Sequence, residues 1–325
     1  MALGTTLDEE SMRPRSFFAV AALLALPACQ AELTSPGGRP GAPPDDLPLG
    51  AAAADSVLLV VAGDMHANCT NPANKAKATA AIVERYPEAL VIPLGDNAGQ
   101  SGTATEYACY DRSWGKFKSR TYPTIGNHEL NLDPAASPYY DYFNGVGVDS
   151  GRAGHRERGY YTLAYGGWRI LVANSHRNLD DQTEWMIREL AADPRRCTMA
   201  IWHRPLFTSS AEPERVQAPG KLPRWWKVLF DGGADLVLHG HVHSYERFAE
   251  MRPNGVVDAT RGIREIVVGT GGSGLFDFRA VPHPASRKRI KTWGVLKLTL
   301  WPTRYKWQFI DVKGVVLDQG QDGCH

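Results

Sequence analysis

Three histidines stand at every second position in "VLHGHVHSYER": His239, His241 and His243. An extended backbone sends residues i and i+2 to one side, so His241 and His243 can lean into a common cavity. Other nitrogen and oxygen donors follow short apolar runs: Asp64 and His66 in "GDMH", Asp96 in "GDN", Asn127 and His128 in "GNHE", and His203 in "WHRP". Each has an ordinary explanation alone. Asp after Gly caps turns, Asn tolerates unusual backbone angles, and a single His is commonly a hydrogen-bonded structural residue. Together they are costly, because burying so many carboxylates and imidazoles without a cation carries a heavy desolvation penalty. One metal cannot use all of these donors. Two can, if a carboxylate bridges them: cations about 3.5 to 4 Å apart can share a hydroxide, hold a phosphate by two oxygens and stabilise both attacking and leaving atoms. The expected chemistry is phosphoester hydrolysis.

The elements that must position these donors read as strands with polar tips. "SVLLVVAGD" and "ALVIPLGDN" are continuous apolar runs ending in Gly-Asp, which predicts strands buried on both faces. The helical stretch "NKAKATAAIVERY" lies between them, completing a βαβ unit whose strand ends form the ligand edge of an open sheet. "WRILVANS", "TMAIWHRP" and "ADLVLHGH" predict further strands, with helices in "TEWMIRELAAD" and "LPRWWKVLFDGG". All the donors are therefore expected at one edge of one sheet. After Arg261, "IREIVVGTGG", "WGVLKLTLW" and "YKWQFIDV" follow without helices between them, predicting a second, mostly antiparallel sheet packed on the first.

With 325 residues, Lys+Arg 36 and Asp+Glu 35, the chain can bury a large core and has no overall field favouring nucleic acid or an anionic membrane. No nucleic-acid partner is expected, and "RKRI" at Arg287 to Ile290 reads as a solvated turn. Residues 1–29 contain a basic start and a short apolar core ending in "LPAC", the layout of an export signal, with Met12 as an alternative start. "LPAC" looks like a lipobox in which Cys29 is lipidated; simple cleavage and secretion is the alternative. The location expected is periplasmic, cell-surface or secreted, with membrane contact only through a lipid at Cys29. The Pro/Gly-rich residues 30–55 read as a tether, leaving 56–325 as the folded domain. Cys69, Cys109, Cys197 and Cys324 then suggest two disulfides, and Cys69–Cys109 with Cys197–Cys324 is the favoured pairing of three. Their spacing does not suit a thiolate metal knuckle.

The order GD, GD, GNHE, H, GHxH resembles the calcineurin-like metallophosphoesterases, from about Val57 to the C-terminus. "WHRPLF", "GHVHSYERF" and "GTGG" look especially like bacterial relatives of purple acid phosphatases. The resemblance implies an α/β protein: a four-layer α/β/β/α sandwich of two mixed sheets flanked by helices. It implies a first metal on Asp64, His66, Asp96 and His243, and a second on Asp96, Asn127, His203 and His241, with Asp96 the bridge. His128 matches the family's non-ligand histidine, which stabilises the transition state or protonates the leaving oxygen. One departure is informative. Purple acid phosphatases carry a ferric-binding tyrosine in a GDxxY motif, where this chain has Gly99, and their first motif normally lacks the histidine present here as His66. The expectation is that His66 fills the position the tyrosine would have taken. The centre would then show no purple charge-transfer colour and would suit two ions of Zn, Mn or Fe.

These features predict an exported phosphomonoesterase in which a metal-bridging hydroxide attacks a small phosphorylated substrate in line. Phosphodiesterase or nucleotide hydrolase action on the same centre is the near alternative, and a non-catalytic metal- or phosphate-binding lipoprotein the distant one. Arg204 and Tyr245 flank ligands and are expected to touch phosphate, with His155, Arg156 and Arg158 as further candidates. His239 is expected to support the ligands, and "GTGGSG" to form a tight turn near them. The long segments "NLDPAASPYYDYFNGVGVDSGRAGHRERGYY" and "FTSSAEPERVQAPGKLP" are expected to line the cleft.

Overall fold

A computed structural model of the chain describes residues 56–192, 197–212 and 220–325. The export signal, Cys29 and the tether lie outside the described residues. In chain order the elements begin with β1 (Val57–Ala62), α1 (Ala76–Val83), β2 (Leu90–Pro93), α2 (Ala104–Asp111) and α3 (Ser137–Phe143). A short hairpin, β3 (Ser150–Gly151) and β4 (Gly154–His155), precedes β5 (Tyr161–Tyr165), β6 (Trp168–Val172) and α4 (Leu179–Ala192). Then come β7 (Thr198–Ile201), α5 (Leu222–Asp231), β8 (Leu236–His239), β9 (Tyr245–Met251), β10 (Ile263–Val268) and β11 (Ser286–Ile290). A meander of β12 (Gly294–Trp301), β13 (Arg304–Asp311) and β14 (Val316–Gly323) closes the chain.

The strands form two mixed sheets, ordered β14-β13-β12-β1-β2 and β11-β9-β10-β8-β7-β6-β5. Side-chain alternation explains why they stack. Ile170 and Val172, Met199 and Ile201, and Leu236 and Leu238 point into the core shared with Leu59, Val61, Leu296 and Leu298 of the five-stranded sheet. Their neighbours Leu171, Ala200 and Val237 point the other way, against Trp185, Trp225, Trp226 and Leu229 of α4 and α5. A strand buried on both faces is mostly apolar, which is why the parallel strands β6, β7 and β8 lack a polar face and carry Arg169, Thr198 and His239 only near their ends. On the far side α1 lies against β12, giving the expected α/β/β/α order.

The division of strands between sheets differs from the sequence reading. β1 and β2 do not share a sheet with β6 to β8; β1 pairs antiparallel with β12. Conversely β10, expected in the second sheet, runs parallel beside β8. Local pattern identified the strands, but pairing partners distant in sequence decided the sheet. The basic run "RKRI" is the edge strand β11 rather than a turn, and its charges protect an otherwise open edge.

Both favoured disulfides form. Cys69–Cys109 ties the loop after β1 to α2, and Cys197–Cys324 joins the start of β7 to the end of β14, linking the two sheets across 127 residues of sequence. On a loop-entropy basis the longer closure stabilises the fold by roughly 4–5 kcal/mol.

Candidate metal centre

The predicted donors converge at the ends of strands from both sheets. Asp64 and His66 follow β1, Asp96 follows β2, His203 lies two residues beyond β7, and His241 and His243 follow β8. Asn127 and His128 arrive on an irregular segment that bridges to β2 at Val91–Thr121 and just beyond it at Leu94–Thr124. The expectation of one sheet edge is thus corrected: the site sits where two sheets meet. Asp96 Oδ2 lies 3.3 Å from His66 Nε2, 3.2 Å from His203 Nε2 and 3.8 Å from His128 Nε2. His203 Nε2 is also 3.2 Å from Asn127 Oδ1 and from His241 Nδ1, while His243 Nε2 is 3.4 Å from Asp64 Oδ1. Two of the donor triads that can hold an ion are Asp64–His66–His243 and Asp96–His203–His241. Every metal ligand named from the sequence is therefore in this cluster.

The backbone holds the donors under strain. Asp64, His66, Asp96 and His241 all have positive φ, between 40° and 67°, a region that costs on the order of 1–3 kcal/mol for a non-glycine residue. Hydrogen bonds fix that geometry. Asp64 Oδ2 accepts from His241 N at 2.7 Å, and Asp96 Oδ1 accepts from His128 N at 2.8 Å. Close approach also requires glycine at Gly95, with φ +93°, where a Cβ would stand 2.5 Å from His203 Nδ1. Outward partners set the imidazole tautomers: His203 Nδ1–H donates to Leu94 O and His243 Nδ1–H to Gly274 O, both at 2.7 Å, leaving each Nε2 lone pair facing inward. Asp64 Oδ1 is buried and faces the His243 imidazole at 3.4 Å, so a cation set between them would take one donor from each. This donor set fits two ions.

Electrostatics ask for positive charge at the same place. Burial works to raise both carboxyls, but the positive charge and hydrogen bond of His203 hold Asp96 well below the usual carboxylate range, and His243 does the same, less strongly, for Asp64. Burial works to lower His203, yet Asp96 lifts it to about 9. His241, with burial and the His203 charge acting together, falls to about 3. Without metal, a proton on His203 supplies the missing cation. Its contribution to stability is complete below the ordinary value of 6.5 and is lost as pH rises toward about 9. The depressed carboxylates act oppositely, contributing above 3.8 and losing that contribution in acid. Metal replaces the proton, so the melting temperature of chelator-treated protein is expected to fall between pH 6.5 and 9 while that of Zn-loaded protein holds, widening the gap. A gap independent of pH in paired thermal melts would contradict this assignment.

Residues 57–245 match the family model described as calcineurin-like phosphoesterase. The chain belongs to the calcineurin-like phosphoesterase family. Purple acid phosphatase 15 of Arabidopsis thaliana is 28% identical over 177 residues, covering 49% of this chain and 32% of that protein. Acid phosphatase type 7 of Homo sapiens is 30% identical over 158 residues, covering 43% and 35%. The matches thus span about a third of the length of these curated relatives. The structure of purple acid phosphatase PPD1 from yellow lupin (Lupinus luteus) seeds superposes with a TM-score of 0.64 at 21% identity, over 82% of this chain and 53% of that one, which establishes a shared fold.

Against the purple acid phosphatase pattern, a side chain at the tyrosine position of this phosphoesterase would have to displace Glu106. Gly99 has φ +54°, and a Cβ there would overlap the Glu106 carboxylate. That carboxylate forms a capping box with Thr103 and accepts backbone N–H bonds from Gln100, Ser101 and Thr103. The loop is folded around Glu106 instead, and His66 points into the cluster, its Nδ1 3.1 Å from the Gln100 amide. No tyrosine is among the described residues lining the central cleft, a cavity of about 620 Å³ walled by His66 and His243 of one triad, Asp96 and His241 of the other, and His128, Arg204 and Phe276.

Two residues at the phosphoesterase centre were not singled out from sequence. Glu129, inside the quoted "GNHE", is buried and accepts N–H bonds from Asp96 at 3.0 Å and from Asn97 and Gly126 at 2.7 Å, clamping two ligand loops together. Its signal was a carboxylate directly after two site residues, which must be either a donor or a brace. Gln100 offered no signal, since its contacts with His66 and, through its carbonyl at 2.6 Å, with His128 Nδ1 exist only in the fold. His239 turns away from the triads. Its Nδ1–H donates to Trp202 O at 3.0 Å and its Nε2 lies 3.3 Å from Glu265. Burial lowers His239 to about 3 and raises Glu265 well above its usual value, and the two side chains face each other between β8 and β10.

Arg204 lines the cleft as expected, but Tyr245 does not. Alternation along β9 turns Tyr245 into the core between the sheets, where it stacks on Phe309 at 4.2 Å and donates to Asp318 Oδ2 at 2.8 Å. Arg156 is paired with Asp141, and neither cavity at the centre takes a lining residue from 131–161 or from the described part of 207–223. The first of these segments instead forms α3, whose Tyr142 stacks on Tyr107 of α2 at 5.0 Å. Its aromatic content drove packing rather than exposure at the cleft. The "GTGGSG" turn does lie at the site, supplying Ser273 and Gly274.

Proposed function

We propose that this phosphoesterase is an exported phosphomonoesterase acting on small organic phosphates. The observation that carries this reading is the position of Asp96, one carboxylate oxygen of which reaches His66 on one side and His203 on the other. Two cations held by Asp64, His66, Asp96, Asn127, His203, His241 and His243 would supply neutralisation of phosphoryl charge and an acidified water for in-line attack. His128 donates through Nδ1–H to Gln100 O, which directs Nε2 toward the cleft, where it serves the leaving oxygen. Arg204, which also lines the cleft, orients a phosphoryl oxygen. Two disulfides in the described residues support export, with lipidation at Cys29 as one route of retention.

Zn- or Mn-loaded protein is expected to release p-nitrophenol from its phosphate monoester faster than from bis(p-nitrophenyl) phosphate, and His128→Ala to lower kcat on the monoester by about 10²-fold. Preference for the diester would favour the phosphodiesterase alternative, and no turnover of either would remove the enzymatic reading. With iron bound and oxidised, the protein is expected to lack the intense visible band of a tyrosinate–ferric pair, because no tyrosine lines the cleft among the described residues. Appearance of that band on an absorption scan would contradict the role given to His66.

A further inference from the structure

A second cavity of about 290 Å³ adjoins the central cleft, sharing His66, Gln100, Ser273 and Gly274 with it. Its outer wall is made by Asn68, Asn71, Lys75 and Trp293, and no Asp or Glu is among its described lining residues. The amides there are committed in a way that leaves donors outward. Asn68 Oδ1 accepts from Thr70 N and Oγ1 at 2.9 and 2.8 Å, and Asn71 Oδ1 accepts from Ala73 N at 2.9 Å, so each presents its NH₂ group. Lys75 adds a full positive charge, its Nζ 5.7 Å from the centre of the Trp293 ring.

The annex is rigid. Asn74 Nδ2 donates to Met65 O at 2.9 Å and His66 O at 3.0 Å, and Lys75 N donates to Gly272 O at 3.0 Å, joining its wall to both the metal loop and the "GTGG" turn. Cys69–Cys109 anchors the loop that carries Asn68 and Asn71 to α2. Trp293 is held by its Nε1–H, which donates to Ser273 O at 2.7 Å. A cationic, donor-lined recess with one flat aromatic wall, opening beside a phosphate-binding centre, has the chemistry of a leaving-group subsite.

We propose that this annex selects phosphate monoesters whose leaving group has a planar body, lying against Trp293, and a second anionic group, a carboxylate or a further phosphate, held by Lys75 and the Asn68 and Asn71 amides. The inference rests on the phosphomonoesterase reading and adds the substrate class to it. The reacting phosphate occupies the metal cleft while the rest of the substrate extends past His66 and Ser273.

The test compares kcat/KM for 4-carboxyphenyl phosphate and 1,4-phenylene bisphosphate with that for neutral 4-carbamoylphenyl phosphate, using full-length, metal-loaded protein. Comparing each charged-to-neutral ratio between variants cancels the leaving group's intrinsic reactivity. Lys75→Met is expected to lower the ratio about tenfold, mainly through KM, the loss of one charge-assisted contact, while Lys75→Arg retains most of it. Loss confined to one charged ester identifies the carboxylate or the phosphate as the preferred anion. In the wild type, the charged-to-neutral ratio is expected to decline between low and high salt, a readout that needs no variant. A ratio insensitive to both salt and Lys75→Met would overturn the inference while leaving the phosphomonoesterase reading intact. Absence of turnover on all three esters would overturn both.

Discussion

Asp96→Asn is expected to leave a folded protein that binds fewer than two metal ions and hydrolyses aryl phosphate at least about 10³-fold more slowly, the upper range for removing one preorganised electrostatic group. The substitution keeps the side chain's shape, and Asn can still accept the 2.8 Å hydrogen bond from His128 N. What it removes is charge and the second ligating lone pair. Asp96 Oδ2 faces both His66 and His203, so its loss affects both ion positions, whereas Asn127 and His241 each serve one triad side. It also removes the partner that raises His203 to about 9, so the apo variant should lose the decline in stability between pH 6.5 and 9. Metal analysis with steady-state kinetics checks the first part and thermal melts the second. A variant that retains two ions and near-normal turnover would exclude Asp96 as the shared ligand.

Glu129→Ala is expected to cost roughly 3–5 kcal/mol of stability, because buried N–H groups of Asp96, Asn97 and Gly126 lose their acceptor together. Burial and the neighbouring Asp96 charge raise the Glu129 carboxyl, against the lowering by its N–H bonds from Gly126 and Asn97. Metal affinity should weaken by about 10- to 100-fold, as for other residues that orient ligands without touching the ion. Glu129→Gln should fall between wild type and Ala, since one of its two terminal atoms turns from acceptor to donor. Denaturation of the chelated protein separates the structural loss from the metal-binding loss measured by titration. If Glu129→Ala matched the wild type in both, the two loops would have to be held by something other than this carboxylate.

Much of the centre was legible from local chemistry. Asp64, His66, Asp96, Asn127, His128, His203, His241 and His243 each follow an apolar run or stand in a short polar motif, and all lie in the cluster, because a strand buried on both faces exposes polar groups only at its end. Tyr245 misled because adjacency in sequence to His243 says nothing about direction once a strand begins, and β9 starts at Tyr245 itself. The loop at 131–161 misled for a related reason: length suggested a cleft lining, but its tyrosines had a better partner in α2.

The sequence alone identified the donors that gather in the cluster and the cysteines that pair, since donor type, strand-end placement and the even set of cysteines are all local properties. Tertiary structure decided which sheet each strand joins, that β1 pairs with β12 some 240 residues away, and that Glu129 and Gln100 brace the ligand loops. It also decided that Gly99 packs against the Glu106 side chain and that Lys75 and Trp293 share a recess beside the donor cluster. The physical reason is that hydrophobic periodicity specifies an element's faces but not its partner, whereas hydrogen bonds and packing between segments far apart in the chain exist only after those partners are chosen.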